Sequence, residues 1–215
     1  MRTLTVVLIV LTATVAAHAG DTWRALVNDQ IKHARTVMRT DTVTVLTINI
    51  MLEKDGEEKE RDTTRTRVYF EGGDQVIDQI APDGEITDTK REPRPEGYVP
   101  QSGVLSMFDI ENADVFTLTE QGHDEDGFLI VEFTPNEPAD SLFTGTAYID
   151  TSAWFPARME MTLSELPSKV KEMEMVAHFG PGADGVFRPQ SMTADGRAKW
   201  LLLNFYFRTE TEYSW

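Results

Sequence analysis

The chain has 215 residues, a formal net charge of −16 and no cysteine. That charge argues against nucleic acid and anionic membrane surfaces as partners, because both require clustered Lys and Arg side chains. Without cysteine the chain can form no disulfide and has no cysteine nucleophile. It also lacks the cysteine through which bacterial lipoproteins are anchored.

The first nineteen residues have the pattern of a secretory signal peptide. Arg2 provides a positive charge, residues 4–17 form a short apolar run, and Ala17-His18-Ala19 matches an A-x-A cleavage site. The run is shorter than the about 20 residues that span a bilayer, and no other stretch is long enough. We therefore predict a cleaved signal over 1–19, export to the periplasm, a single domain over 20–215 and no integral membrane segment.

An amphipathic helix is predicted directly after the signal. Asp21 or Thr22 can cap its first turn, and polar residues such as Arg24 and Lys32 face away from its apolar side. The apolar residues recur at helical spacing and form one stripe, which consists of Trp23, Leu26, Val27, Ile31, Ala34, Val37 and Met38. Such a stripe needs an apolar surface to lie against.

From Thr42 onward the chain alternates with the period of two that is typical of β-strands. A Pro-rich stretch from Glu92 to Pro100 predicts a loop, and a short helix is predicted from Val104 to Ile110. Turns rich in Gly, Pro, Asp and Ser separate the strands. The strands are predicted at 42–52, 58–70, 75–80, 85–89, 115–119, 128–133, 143–149, 157–166, 169–179, 186–192 and 199–212.

One helix followed by about ten strands in consecutive hairpins predicts a mainly β fold with a large antiparallel meander. A sheet of this size curls, and it can bury its concave face by wrapping around the helix. A flat sandwich is the alternative, but it would leave the helix without an obvious partner.

Four methionines alternate with glutamates on two arms around Pro167. If the arms pair symmetrically, Met159 lies opposite Met175 and Met161 opposite Met173. The thioethers then form a dry face of the hairpin, and the glutamates form a wet face. Together with an alternating row in the last strand, this hairpin gives the candidate ligand-cavity residues Met159, Met161, Leu163, Met173, Met175, Leu201, Leu203, Phe205 and Phe207.

The thioethers allow three interpretations. Met is unbranched and adaptable, so it either fills gaps beneath the helix or lines a cavity for varied apolar ligands, and the sequence does not separate these two. A Cu(I) site with His178 is the third interpretation, because thioethers are soft ligands. The regular strands argue against copper, since Met-rich copper sites usually lie in exposed, flexible segments.

The sequence contains little that indicates catalysis. None of the common hydrolase, metalloprotease, P-loop or dinucleotide motifs is present. Outside the signal the histidines are His33, His123 and His178, each isolated in sequence, and residues 123–127 lack the length and terminal Glu of a calcium-binding loop. We expect no enzyme activity, no catalytic residue, no metal and no cofactor.

The layout of signal, helix and antiparallel meander resembles the periplasmic lipoprotein-carrier superfamily of LolA/LolB-like proteins. The most similar stretch is Gly145-Thr-Ala-Tyr-Ile-Asp-Thr-Ser-Ala-Trp-Phe-Pro-Ala-Arg158, with its strand, its "I-D" turn and its Pro before the next strand. Asp184-Gly185, Pro189 and the closing aromatic segment to Tyr213 are similar too. Because no lipid-anchoring cysteine is present, the chain is similar to the soluble carrier.

This resemblance implies an unclosed β-barrel with a helical lid over a hydrophobic cavity. It implies a monomeric periplasmic carrier for lipoprotein acyl chains or another amphiphile. The alternative is an envelope sensor or protein-interaction module with a filled core and no ligand. The functional arginine of the carriers is not placed, because Arg65 and Arg67 both lie in a plausible strand. The lid candidates are the Pro-rich segment from Glu92 to Gly103 and the helix residues Trp23, Leu26, Val27, Ile31, Val37 and Met38.

Overall fold

A computed structural model describes residues 22–93, 102–200 and 203–215 of the chain. The predicted signal over residues 1–19, most of the Pro-rich segment and Leu201 lie outside these residues. Within the described ranges, no helix combines the length and the apolar character needed to cross a membrane.

Residues 22–38 form the helix α1, as the apolar stripe predicts. Its buried side chains follow one another at intervals of three or four residues and are Trp23, Val27, Ile31, Ala34 and Met38. Leu26 lies beside this stripe and is exposed, and Val37 is half-buried. The helix ends where both the amide and the hydroxyl of Thr40 donate to the Val37 carbonyl. The buried stripe is therefore narrower than predicted.

Eleven strands follow α1 in the described part of the chain. Two 3-10 segments, Ser102–Phe108 and Ile110–Asn112, stand between the fourth and fifth strands. The strands are β1 (Val43–Leu52), β2 (Glu58–Glu71), β3 (Asp74–Ile80), β4 (Ile86–Pro93), β5 (Phe116–His123), β6 (Leu129–Pro135), β7 (Phe143–Asp150), β8 (Phe155–Leu163), β9 (Val170–Pro181), β10 (Phe187–Trp200) and β11 (Leu203–Ser214).

All strands join one antiparallel sheet in the order β4-β3-β2-β1-β11-β10-β9-β8-β7-β6-β5. Consecutive strands are neighbours, as a meander requires, except for β4 and β5, which form the two edges. The last strand pairs with the first, from Thr44↔Ser214 to Leu52↔Tyr206. The predicted fold class is confirmed: a mainly β chain with one helix and a sheet that, over the described residues, is not closed. The pairing of β1 with β11 joins two meanders and was not predicted.

α1 covers one half of the sheet. Its buried residues and Leu105, Met107 and Phe108 of the first 3-10 segment pack against inward side chains of β5 to β9. Together they form one hydrophobic core, which also includes Ala194 of β10. None of its buried members in the described ranges lies on β11, β1 or β2. The core under the helix therefore does not extend over the other half of this face, in which Val43, Thr211 and Tyr213 are buried by other contacts while Met51, Leu203 and Phe205 are exposed.

Polar contacts tie α1 to the 3-10 segments. Arg35 forms an ion pair with Asp109 at 2.6 Å, and both side chains are largely buried. The amide of Ile110 donates to the Asn28 side-chain oxygen at 3.3 Å. Because these contacts join the helix to the 3-10 segments, the two elements form one unit on top of an apolar core.

The methionine hairpin has the predicted faces but a different register. Met161 pairs with Met175, and Met159 pairs with Ala177. The predicted pairing, with Met159 opposite Met175 and Met161 opposite Met173, is wrong by two residues. The thioether side chains nonetheless point toward the core while the intervening glutamates are exposed.

The two arms of this hairpin separate beyond Met161, and this separation explains the register. On the β8 side, Ser164 exchanges hydrogen bonds of 3.0 and 2.9 Å with the backbone of Ala139. On the β9 side, Met173 pairs with Gly196 of β10. Since each arm is held by a different neighbour, a symmetric turn about Pro167 does not form.

β10 is longer than predicted. The prediction ended this strand at residue 192, whereas it continues to Trp200. Its centre contains Asp195-Gly196, a dipeptide that more often marks a turn. Here Asp195 accepts a hydrogen bond from Arg208 of β11 at 2.7 Å, so the pair lies within a regular ladder.

Candidate binding surface

The uncovered half of the sheet continues the face on which α1 lies. Directly opposed residues of paired strands point to the same face. The series Met175, Ala194, Thr209 and Asn49 crosses four strands without a shift of register. Because Met175 and Ala194 belong to the helix-covered core, the residues in phase with Thr209 and Asn49 lie on that same face.

Four apolar side chains on this face form what we call the open strip: Met51, Leu203, Phe205 and Phe207. Leu203 is 64% exposed, Phe205 38% and Met51 37%, while Phe207 is half-buried. Met51 lies directly opposite Phe207. Isolated exposed apolar residues are ordinary, but a contiguous group beside a core indicates a binding surface.

Two hollows follow the open strip. The first has a volume of about 260 Å³ and is lined by Met51, Phe205 and Phe207 together with polar residues of β1 and β2. The second has a volume of about 360 Å³ and surrounds Leu203 and Phe205 at the end of the sheet. The first lies just below and the second just above the lower limit of about 300 Å³ for ligand pockets, so they suit a short apolar segment.

Gly196 makes room for the Phe207 ring. A Cβ atom at position 196 would lie 2.8 and 2.9 Å from the two Cε atoms of that ring, well inside van der Waals contact. Glycine in the interior of a strand often marks such a close approach. The glycine therefore lets the tip of the Phe207 ring reach over β10, and the same residue lines the first hollow.

Carboxylates border the first hollow on its β2 side. Glu60 is directly opposite Met51, and Asp62 is directly opposite Asn49, so both share the face of the open strip. Both side chains are exposed, and neither forms an ion pair within the described ranges. The first hollow is therefore apolar at its floor and negatively charged at one wall.

The second hollow has a mixed border. Lys59 forms an ion pair with Glu53 at 3.4 Å, and both side chains are more than half exposed. Lys54 also lines this hollow. An exposed pair of this kind contributes little to stability and has no net charge, so Lys54 supplies one excess positive charge near Leu203.

Three of the predicted cavity residues are buried in the protein interior. Met159 is fully buried, and Met161 and Met175 are nearly so, all within the core beneath α1. Met173 and Leu163 are half-buried, and Met173 packs against that core.

The other predicted residues are separated from this core. Leu203, Phe205 and Phe207 lie on the open strip, and Leu201 is outside the described residues. The helix residues that were predicted to form a lid also differ in burial. Leu26 is exposed and Val37 is half-buried. The others are buried in the same core as the methionines: Trp23, Val27, Ile31 and Met38.

An arginine cluster fixes the opposite end of the sheet. The nearly buried guanidinium of Arg188 donates to Asp184 at 2.6 and 2.8 Å and to Asp41 at 3.0 and 2.7 Å. Donation by Arg188 holds the pKa of Asp184 well below its usual range. The Trp215 ring lies under the same guanidinium, and its indole N–H donates to the Pro189 carbonyl at 2.7 Å. The cluster joins the start of β1, the β9–β10 turn and the last residue.

Arg65 and Arg67 lie on the outer face, away from the open strip. Arg67 donates to Asp78 at 2.7 and 3.2 Å, and with the Thr89 hydroxyl it lowers the pKa of that buried carboxyl. Arg65 is opposite Leu46 of β1, whose side chain also points outward. Neither arginine is placed to contact a ligand on the open strip.

The described part of the chain offers no group of three or more acidic or histidine side chains that could hold a metal ion. His33, His123 and His178 lie on α1, β5 and β9 and are exposed. The methionines that the copper hypothesis requires are largely buried among apolar side chains.

Sequence reasoning missed four residues of the candidate surface: Met51, Glu60, Asp62 and Gly196. Met51 was assigned to the first strand without a role, although it alternates in phase with Asn49. The signal for Gly196 was available, because a glycine between Asp195 and Arg197 in a strand-like stretch can mark a close approach. The carboxylates carried no signal, since acidic residues are frequent throughout the chain.

One helix held against an unclosed antiparallel sheet is the architecture that the carrier resemblance implies. No family model matches the chain, and no curated protein sequence matches it. Among solved structures the chain is similar to a domain from Vibrio parahaemolyticus described as an outer membrane lipoprotein-sorting protein, with 13% identity and a TM-score of 0.42 over 86% of this chain and 88% of that one.

Two further solved structures are similar over most of the chain. One is a DUF1329 family protein from Desulfovibrio piger, with 10% identity and a TM-score of 0.41 over 87% of this chain and 90% of that one. The other is MucB in its complex with MucA from Pseudomonas aeruginosa, with 9% identity and a TM-score of 0.28 over 87% and 94%. The MucA partner belongs to that structure.

Proposed function

We propose that this protein is a periplasmic carrier that binds the apolar chain of an amphiphile on the open strip. The observation that supports it is an exposed apolar group, Met51, Leu203 and Phe205, beside a hollow on the same face as the core. The signal-like leader over residues 1–19 supports export. The resemblance to carriers supports a lipoprotein acyl chain or a similar amphiphile as cargo, and binding requires no chemistry from the protein.

The cost of opening the helix argues for the strip as the binding surface. Opening α1 with the first 3-10 segment would expose seven large buried side chains, each stabilised by about 1.5–3 kcal/mol. The sum is at least about 10 kcal/mol, which approaches the whole stability of a typical domain. A ligand on the open strip avoids this cost, so we assign α1 to the permanent core.

The expected affinity is modest. A chain that buries about eight methylenes on the strip gains roughly 6 kcal/mol at about 0.8 kcal/mol each. Part of this gain is lost when the chain is ordered and immobilised. The resulting binding is weak and readily reversed, which suits a carrier that must release its cargo.

A second candidate is an envelope interaction module without a transported ligand. The observation that favours it is the burial of Met159 and Met161, which lie in the core beneath α1 and not on an accessible surface. In this case the open strip would contact a protein partner. Native mass spectrometry of the protein in unfractionated periplasmic extract, where weakly bound ligands are not washed away, separates the two candidates, because a carrier is detected with an amphiphile and an interaction module with a protein.

The direct test uses the uncharged fluorescent probe N-phenyl-1-naphthylamine and the double variant Leu203→Ser/Phe205→Ser. We expect the variant to bind the probe at least tenfold more weakly while keeping its thermal midpoint, because both side chains are exposed. Ile86→Ser is the matched control, since Ile86 is half-exposed on the edge strand β4. Equal binding by wild type and the double variant, or no binding by wild type, would rule out the strip.

A further inference from the structure

We infer that the open strip discriminates between amphiphiles by the charge of their head groups and disfavours anionic heads. This inference rests on the proposed function, because it concerns the same surface. It names the ligand class more narrowly: an amphiphile with a cationic or uncharged head, in preference to a fatty acid or an anionic phospholipid.

Two carboxylates stand beside the open strip on its β2 side. Glu60 and Asp62 lie directly opposite Met51 and Asn49, and directly opposed residues of antiparallel strands have Cβ atoms about 5 Å apart. Both therefore stand within a few ångströms of a chain lying over Met51 and Phe207. Any head group that enters with such a chain meets two negative charges on the β2 side.

Within the described ranges, no cation forms an ion pair with Glu60 or Asp62 at this wall. Arg208 borders the same hollow, but it lies in phase with the outer face and donates to Asp195. Lys59 forms an ion pair with Glu53. Among the described residues, Lys54 at the far side of Leu203 is the cation best placed to attract an anionic head.

The balance of these charges favours cationic heads. Glu60 and Asp62 outnumber Lys54, and the chain as a whole carries −16, so the long-range field also repels anions. Each charge pair about 6 Å apart in water is worth somewhat less than 1 kcal/mol. Two carboxylates therefore predict a preference of about tenfold for a cationic over an uncharged head at low salt, and a larger one over an anionic head.

The test compares three surfactants with the same decyl chain, each below its critical micelle concentration: decyltrimethylammonium, decyl maltoside and decyl sulfate. Isothermal titration calorimetry gives the three dissociation constants. We expect affinity to fall in that order at 20 mM salt, and the differences to shrink to within about threefold at 1 M salt, where the Debye length is about 3 Å.

Variants locate the effect. Glu60→Gln/Asp62→Asn should reduce the preference for the cationic head at least threefold while leaving decyl maltoside binding unchanged. Glu125→Gln/Asp126→Asn makes the same change of net charge in the exposed β5–β6 turn and should leave the preference intact. That control separates the local carboxylates from the overall charge.

The outcomes distinguish the inference from the function beneath it. If none of the three surfactants binds, the proposed function fails and the inference falls with it. If decyl maltoside binds and decyl sulfate binds equally well or better, the function stands and the inference is overturned. Loss of that sulfate binding in Lys54→Gln would place the head group at the opposite end of the strip. An equal effect of both double variants would also overturn the inference.

Discussion

Truncation of Met159 to alanine measures whether the space beneath α1 is filled. Met159 has no exposed surface and lies among the helix residues and the other strands of the core. The substitution removes three heavy atoms beyond Cβ. In a filled core the neighbours relax only partly, so the variant loses the transfer free energy of those atoms and gains a cavity.

The expected loss for Met159→Ala is about 2–5 kcal/mol, the range for large-to-small changes at fully buried positions. Met51→Ala is the matched control, since it makes the same chemical change at a side chain that is 37% exposed. The control should lose less than about 1 kcal/mol, because a partly exposed side chain loses less buried apolar surface on truncation and leaves no enclosed cavity.

Urea unfolding followed by circular dichroism gives both values from the midpoint and the slope. A loss for Met159→Ala within about 0.5 kcal/mol of that for Met51→Ala would refute a filled core. It would mean that Met159 lines an open cavity beneath the helix, and the assignment of α1 to the permanent core would be withdrawn.

Gly196→Ala should push the Phe207 ring off the sheet, weaken probe binding several-fold and lower stability by about 1–3 kcal/mol. Calorimetry measures the binding and urea unfolding measures the stability. Unchanged binding would show that the ring is not part of the site. The Asp184 carboxyl has a lowered pKa in the folded state, so its contribution to stability is complete above about pH 4, the unfolded value, and is lost as the pH falls through the lower folded value. The difference in urea midpoint between wild type and Asp184→Asn should therefore shrink from pH 5 toward pH 2, whereas a constant difference would contradict the role of Arg188.

The elements of this fold were predictable because they follow local periodicity. The spacing of Trp23, Val27 and Ile31 specifies one face of a helix, and the alternation of Met and Glu specifies the two faces of a hairpin. The structure contains both the helix face and the two hairpin faces, since each is set by the spacing of apolar residues within one short segment.

The long-range features were not predictable in the same way. No local signal pairs Thr44 with Ser214, because antiparallel partners are chosen by the whole sheet. The hairpin register depends on the hydrogen bonds of Ser164 to Ala139 and on the pairing of Met173 with Gly196, both of which lie outside the hairpin. The open strip was only partly predicted: Leu203, Phe205 and Phe207 were recognised by alternation, but whether a face is covered depends on the length and position of α1.

The ladder between β1 and β11 has a consequence for the order of folding. The strands β2, β3 and β4 depend on β1 for their place in the sheet, and β1 joins the remainder through β11, the twelve residues from Leu203 to Ser214. Contacts this distant in sequence form slowly, because a long loop must close before they contribute. The hairpins formed by β1 to β4 therefore join the rest of the sheet only after β11 has paired with β1. In a chain that lacks β11, they should not be attached to the strands β5 to β10.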